Sequence, residues 1–239
     1  MSLAFSDAFR IRHSARAKRL RLVVKPGSVE LVAPLTVSER QAQDFLARHR
    51  SWAEKKLHEM AVQQTSAVPP SLSAATSLPW RGKEIPLTIL DEPRRYARAE
   101  LSDEACIIRV PVAALGAARE QLLERALMAA AQKRLSTRID YWIQQHAARY
   151  GLYPRAIRIK RMTSRWGSCG PRNDLNINLL LAFVPDSVLE YVVVHELCHI
   201  RERNHAPGFW QLVARHMPDY MQQRRWLRTH GSALLQRFC

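Results

Sequence analysis

Apolar and polar residues along the chain change period several times. From Phe9 to Thr36, "FRIRHSARAKRLRLVVKPGSVELVAPLT" alternates basic and apolar positions around "KPGS", the pattern of short strands joined by a turn. Ser38 with Gln41 predicts a capping-box start, and Ala42, Phe45, Leu46, Trp52 and Leu57 keep a helical period to about Met60. The stretch "QQTSAVPPSLSAATS", residues 63–77, has the composition of a flexible linker or long loop. "LPWRGKEIPLTIL" and "RAELSDEACIIRVP" predict further strands. A long helix is expected from about Ala117 to Tyr150, closed by Gly151 at C′, with a kink near Ser136 and Thr137. "IRIKRM" and "LNINLLLAF" read as strands with "CGPRND" as the turn between them. Pro185, Asp186 and Ser187 open another helix, with Ser187 and Glu190 as its capping box. Pro207–Met217 and Asp219–His230 complete the pattern as helices, the last stopped by Gly231.

The helix after Ser187 carries "VVVHELCHIRERNH", which sets two imidazoles and a carboxylate in an apolar run. At 100° per residue, His195 and His199 lie about 40° apart and one turn above each other. Their ring nitrogens can therefore converge on one ion, and zinc takes such nitrogens at about 2.0–2.1 Å. Glu196 sits beside them, within reach of a water acidified by that ion, and can take its proton and pass it to a leaving amine. The pattern H-E-x-x-H thus combines two ligands and a base at helical spacing. The plain alternative is a pair of core histidines bonded to carbonyls.

A catalytic zinc needs a third protein ligand and one open position. His205 is the best candidate, provided that the helix breaks first, with Asn204 as a left-handed cap and Pro207 blocking continuation. Glu202 is the rival on the His195 face, although its Cα lies about 10.5 Å along the axis. Cys198 reads as a packing residue, and His216 and His230 as surface or helix-end residues. The metzincin pattern needs glycine where this chain has Glu202, so that assignment fails.

Composition narrows the class. Four cysteines without C-x-x-C spacing argue against a disulfide framework or a four-cysteine zinc ribbon. The N-terminus lacks the apolar core of a signal peptide, and no apolar stretch is long enough to cross a membrane, so a cytoplasmic protein is expected. A net charge of +16 favours polyanions. Acid-free basic clusters lie at residues 10–25 and 155–172, so nucleic acid bound through basic faces is the alternative partner to a protein or peptide substrate.

The segment "RMTSRWGSCGPRNDLNINLLLAFVPDSVLEYVVVHELCHIRERNHAPGFWQLVARHMPDY" resembles the core of the YgjP-like metallopeptidases, relatives of the SprT-like and WLM proteins. The features that carry it are Ser164–Cys169, the V-V-V-H-E-L-x-H helix, Asn204-His205, Phe209-Trp210 and Arg225-Trp226-Leu227. "SARAKRLRLVV" and "FLARHRSWAEKKL" extend the resemblance over nearly the whole chain.

The resemblance implies a zincin-like α+β fold, with a buried active-site helix on a small mixed or antiparallel sheet and an N-terminal β-rich region with a helix. It implies one zinc ion held by His195, His199 and His205, with Glu196 as general base of a zinc-dependent metallopeptidase. The expected divisions are 1–62 (strands and helix), 63–77 (linker), 78–116 (β-rich, packing on the core) and 117–239 (catalytic core). The strand "TSRWGSC" is placed to pair with an extended substrate. Arg165, Trp166, Gly167 and Ser168 are therefore candidate substrate contacts, with Gly167 allowing close backbone approach. Phe209 and Trp210 are expected as core anchors for the turn that carries the third ligand.

Overall fold

The structure, a computed structural model, describes residues 9–25, 27–65 and 71–238. The first eight residues, Pro26 of the "KPGS" turn, residues 66–70 of the expected linker and Cys239 lie outside the described residues. The chain divides into two compact units, Met1–Val68 and Pro69–Cys239. Among the described residues no helix is long and apolar enough to cross a membrane.

In the first unit, β1 (Phe9–His13), β2 (Arg21–Lys25) and β3 (Ser28–Ala33) form a mixed sheet in the order β1-β3-β2. β3 is central, parallel to β1 and antiparallel to β2, and Val29, Leu31 and Ala33 point inward. α1 (Glu39–Thr65) begins with the predicted reciprocal cap. The Ser38 N–H donates to Gln41 Oε1 at 3.0 Å, and the Gln41 N–H to Ser38 Oγ at 3.3 Å. The helix continues past Met60 into the segment read as linker, whose last residues form a short 3-10 turn (Leu72–Ala74) and open a strand at Ser77.

Among the described residues the second unit has two sheets and four α-helices. β4 (Ser77–Trp80), β5 (Lys83–Glu92), β6 (Arg98–Leu101) and β7 (Cys106–Pro111) pair in the order β4-β5-β7-β6, with β5 and β7 parallel. α2 (Gly116–Tyr150) packs on this sheet along Leu123, Leu127, Ala131, Leu135 and Ile139, one residue per turn. It runs as one helix through Ser136 and Thr137 and ends at Gly151 in the left-handed conformation (φ 66°).

β8 (Ala156–Lys160), β9 (Gly167–Cys169) and β10 (Asp174–Asn178) form the second sheet, in the order β8-β10-β9. The turn at Gly170–Asn173 joins β9 to β10, not β8 to β10, and β8 lies on the far side, parallel to β10. The run "LLLA" is a buried 3-10 turn where strand was expected. Asn178 causes the change of direction: its side chain accepts from the Leu180 N–H at 3.1 Å and donates to the carbonyls of Met162 and Arg165 at 2.7 and 2.9 Å.

α3 (Asp186–Cys198) follows, buried along Val188, Leu189, Val192–Val194 and Leu197. Its expected cap does not form. The Asp186 carboxylate pairs with Arg138 and Arg81, and the Glu190 carboxylate meets His146 Nε2 at 2.9 Å. α4 spans Pro207–His216 and α5 Tyr220–Phe238. α5 passes straight through Gly231, which serves close packing and not termination: a Cβ there would lie 2.8 Å from the Trp166 ring. His216, expected at the surface or a helix end, is the last residue of α4 but only 6% exposed, because it meets His146 across Nδ1 atoms 3.2 Å apart and lies under the Tyr150 ring. His230 is exposed at the helix surface as expected.

Candidate metal centre

α3 ends at Cys198, one residue before the second histidine of the motif. The carbonyl of Cys198 accepts from the N–H groups of Arg201 and Glu202, which folds the chain into a tight turn. The break therefore comes earlier than Asn204, and Asn204 is not left-handed. Instead its Oδ1 accepts from the Ala206 N–H at 3.0 Å, an Asx turn just ahead of α4, whose first residue is Pro207. Between these two helices the turn returns His205 to the others.

The three ring centroids form a nearly regular triangle, with sides of 4.9 Å (His195–His199), 5.0 Å (His195–His205) and 4.8 Å (His199–His205). Each ring offers a nitrogen, and these atoms lie within 4.8 Å of one another. His195 Nε2 and His205 Nε2 are 3.1 Å apart. Two nitrogens bound tetrahedrally at zinc distances lie about 3.3 Å apart, so this spacing fits one such ion. The Glu202 carboxylate is outside the cluster, but its backbone carbonyl meets His199 Nδ1 at 2.9 Å. That bond sets the proton on Nδ1 and turns the lone pair of Nε2 to the shared point.

Aromatic rings hold the triangle. Phe209, fully buried, stacks on His199 with centroids 4.5 Å apart and meets His195 and His205 edge-on. The Trp210 indole N–H donates to the His205 carbonyl at 3.1 Å, and its ring lies along that of His205. Cys198 is fully buried as a packing residue.

Burial, with His199, His205 and Arg224 acting in the same sense, pushes the His195 imidazole down to about 3. Burial first also lowers His199, against the hydrogen bond to the Glu202 carbonyl, with His205 and Arg203 adding to the lowering. Both rings are thus neutral near pH 7, the state that donates a lone pair to a metal. Glu196 is 4% exposed; burial pushes its carboxyl up to about 8, with Arg165 opposing. Its Oε2 has no hydrogen-bond partner.

Glu196 lies directly under Gly167 of β9. A Cβ on Gly167 would sit 2.5 Å from Oε1 and under 3 Å from Cγ and Cδ. The glycine expected to admit a substrate backbone thus makes room for the carboxylate. Arg165, Trp166 and Gly167 line the cleft of about 360 Å³ that reaches His195 and Glu196. Ser168 does not; its hydroxyl accepts from Asn176 across the sheet at 3.2 Å. Three further lining residues were not singled out from the sequence: Tyr191, Arg224 and Arg228. Tyr191 precedes His195 by one helical turn, a spacing visible in the sequence, whereas the α5 arginines reach the cleft only through the tertiary fold.

The model of the YgjP-like, metallopeptidase domain family matches residues 18–230. No curated protein matches the chain. The match spans most of the chain and includes every residue of the histidine triangle, and the chain belongs to the YgjP-like metallopeptidase-domain family.

Proposed function

We propose that this metallopeptidase-family protein is a zinc peptidase in which His195, His199 and His205 hold one ion and Glu196 moves the proton. The observation that carries the reading is the convergence of three imidazoles, two of them held neutral by burial, beside a buried carboxylate whose Oε2 has no partner among the described residues. When bound, zinc supplies a Lewis acid that acidifies water and polarises a peptide carbonyl. The protein does the rest. Phe209 and the Glu202 carbonyl fix the rings. Glu196, with its proton affinity raised by burial, takes the proton of the attacking water and delivers it to the amide nitrogen as the peptide bond breaks.

We take the architecture as zincin-like, with α2 backing α3 and the outer edge of β9 bordering the cleft. β9 lies at the edge of its sheet, so its outward backbone groups are available to an extended substrate. Arg165, Trp166 and Gly167 are proposed as substrate contacts from the loop and strand that border the cleft.

The test is Glu196→Gln, which keeps the shape of the side chain and removes the base. The variant should bind one equivalent of zinc, as the parent does, and lose about 10²–10⁴-fold in peptide hydrolysis. Undiminished hydrolysis by the variant would refute the role of Glu196.

A further inference from the structure

The cleft beside Glu196 is far more basic than its chemistry requires. Arg165 enters from the loop before β9, and Arg224 and Arg228 lie one turn apart on α5. Trp166, Val192 and Leu227 supply apolar wall, and Glu196 is the only acid in the lining. None of these three guanidiniums has a carboxylate partner among the described residues. Some arginines of the same unit are paired with carboxylates, such as Arg109 with Glu100, Arg119 with Asp91, Arg138 with Asp186 and Arg155 with Asp174, so what sets the cleft apart is three such cations gathered on one concave wall.

We infer that the cleft takes a carboxylate, so that the preferred substrate is a peptide with an acidic group next to the bond to be cut. This rests on the peptidase reading for the identity of the bond, but not for the binding of the acid. Like charges gathered in a concave site repel one another, and an anionic ligand removes that cost. Guanidinium forks match a carboxylate with two parallel hydrogen bonds. Arg224 lies over the Trp210 ring at 4.4 Å, which holds its guanidinium in place. A lysine side chain in this cleft would meet three cations, so the arrangement selects against basic residues as well as for acidic ones.

Binding can be read without turnover in zinc-loaded Glu196→Gln protein. The probes are peptides alike except for one position, carrying Glu, Gln or Lys, each with a free or an amidated C-terminus. Affinity is measured by titration calorimetry. An acidic peptide should bind at least about tenfold more tightly than its Gln counterpart, a difference of about 1.4 kcal/mol, and the Lys peptide should bind least. Adding Arg165→Gln or Arg228→Gln should shrink the Glu-to-Gln ratio towards one, and Arg228→Glu should move the preference towards Lys. A gain that follows the free terminus places the terminal carboxylate in the cleft; one that follows the side chain places Glu there. Equal binding of the Glu and Gln peptides, with no effect of the terminus, would overturn the inference. So would a single-stranded oligonucleotide that displaces the acidic peptide and binds more tightly through the same arginines. Tight acidic binding alongside wild-type protein that cuts no peptide would instead count against the peptidase reading alone. Zinc content and circular dichroism check that each variant is folded.

Discussion

Substituting Gly167 by alanine adds one methyl group in the space that the Glu196 carboxylate fills. The backbone at Gly167 is outside the left-handed region, so alanine fits the main chain and the effect is steric. The new carbon would lie 2.5 Å from Glu196 Oε1, 2.7 Å from Cγ and 2.8 Å from Cδ. Ordinary non-bonded contacts need about 3.5–4.0 Å, so carboxylate and strand must separate by about 1 Å. Glu196 has little room to yield, since it is 4% exposed on a helix whose neighbours Val193, Val194 and Leu197 are fully buried. A displacement of about 1 Å at a reacting group costs about 10²-fold in rate, equivalent to about 2.7 kcal/mol in the barrier. Overpacking adds about 1–3 kcal/mol of destabilisation. The three nearest atoms to the added carbon all belong to Glu196, so the clash falls first on the base and not on a histidine. Gly167→Ala should therefore keep its zinc, melt somewhat earlier and lose about 10²-fold in kcat on a peptide substrate. Wild-type kcat, or loss of zinc with the strand intact, would refute the view that Gly167 exists to seat Glu196.

Asn178→Ala removes a buried side chain that bonds Met162, Arg165 and Leu180. At about 0.5–1.5 kcal/mol each, plus the orphaned carbonyls, the loss should be about 3–4 kcal/mol in urea unfolding, with hydrolysis falling as the Arg165–Gly167 segment loosens. An unchanged unfolding midpoint would show that the loop is held by other means. His216 is held down to about 4 by burial, with His146, Arg149 and Arg201 opposing its protonation in the fold. Between about 4 and its ordinary 6.5 the unfolded chain binds the extra proton, so this contribution to stability is full above 6.5 and lost as the pH falls towards 4. His216→Phe should flatten the melting temperature of zinc-loaded protein across that window; a difference from wild type that does not vary with pH would count against it.

Local features of this fold were legible in the sequence where the determining interaction is itself local. Ser38 and Gln41 cap α1 through bonds spanning three residues, and Gly151 ends α2 by its own backbone freedom. His195 and His199 meet because their spacing matches the helix, and Pro207 begins a new helix as expected. Features set by distant partners were not legible. Glu190 is drawn off its expected cap by His146, 44 residues away, and the same histidine draws His216 inside. The run after Asn178 has strand composition, yet one buried amide turns it into a 3-10 segment. Gly231 resembled a stop signal because its close neighbour, Trp166, is remote in sequence. Arg224 and Arg228 stand out from no local pattern in the sequence, and only the packing of α5 against the Arg165 loop makes them walls of the cleft.

X-ray absorption at the zinc edge of the purified, zinc-loaded protein tests the central claim most directly, because it reads the atoms around the ion. The account predicts three imidazole nitrogens at about 2.0–2.1 Å and one oxygen ligand, with one nitrogen lost in His205→Ala. Sulfur at about 2.3 Å, or a shell with fewer than three imidazoles that is unaltered by His205→Ala, would contradict it.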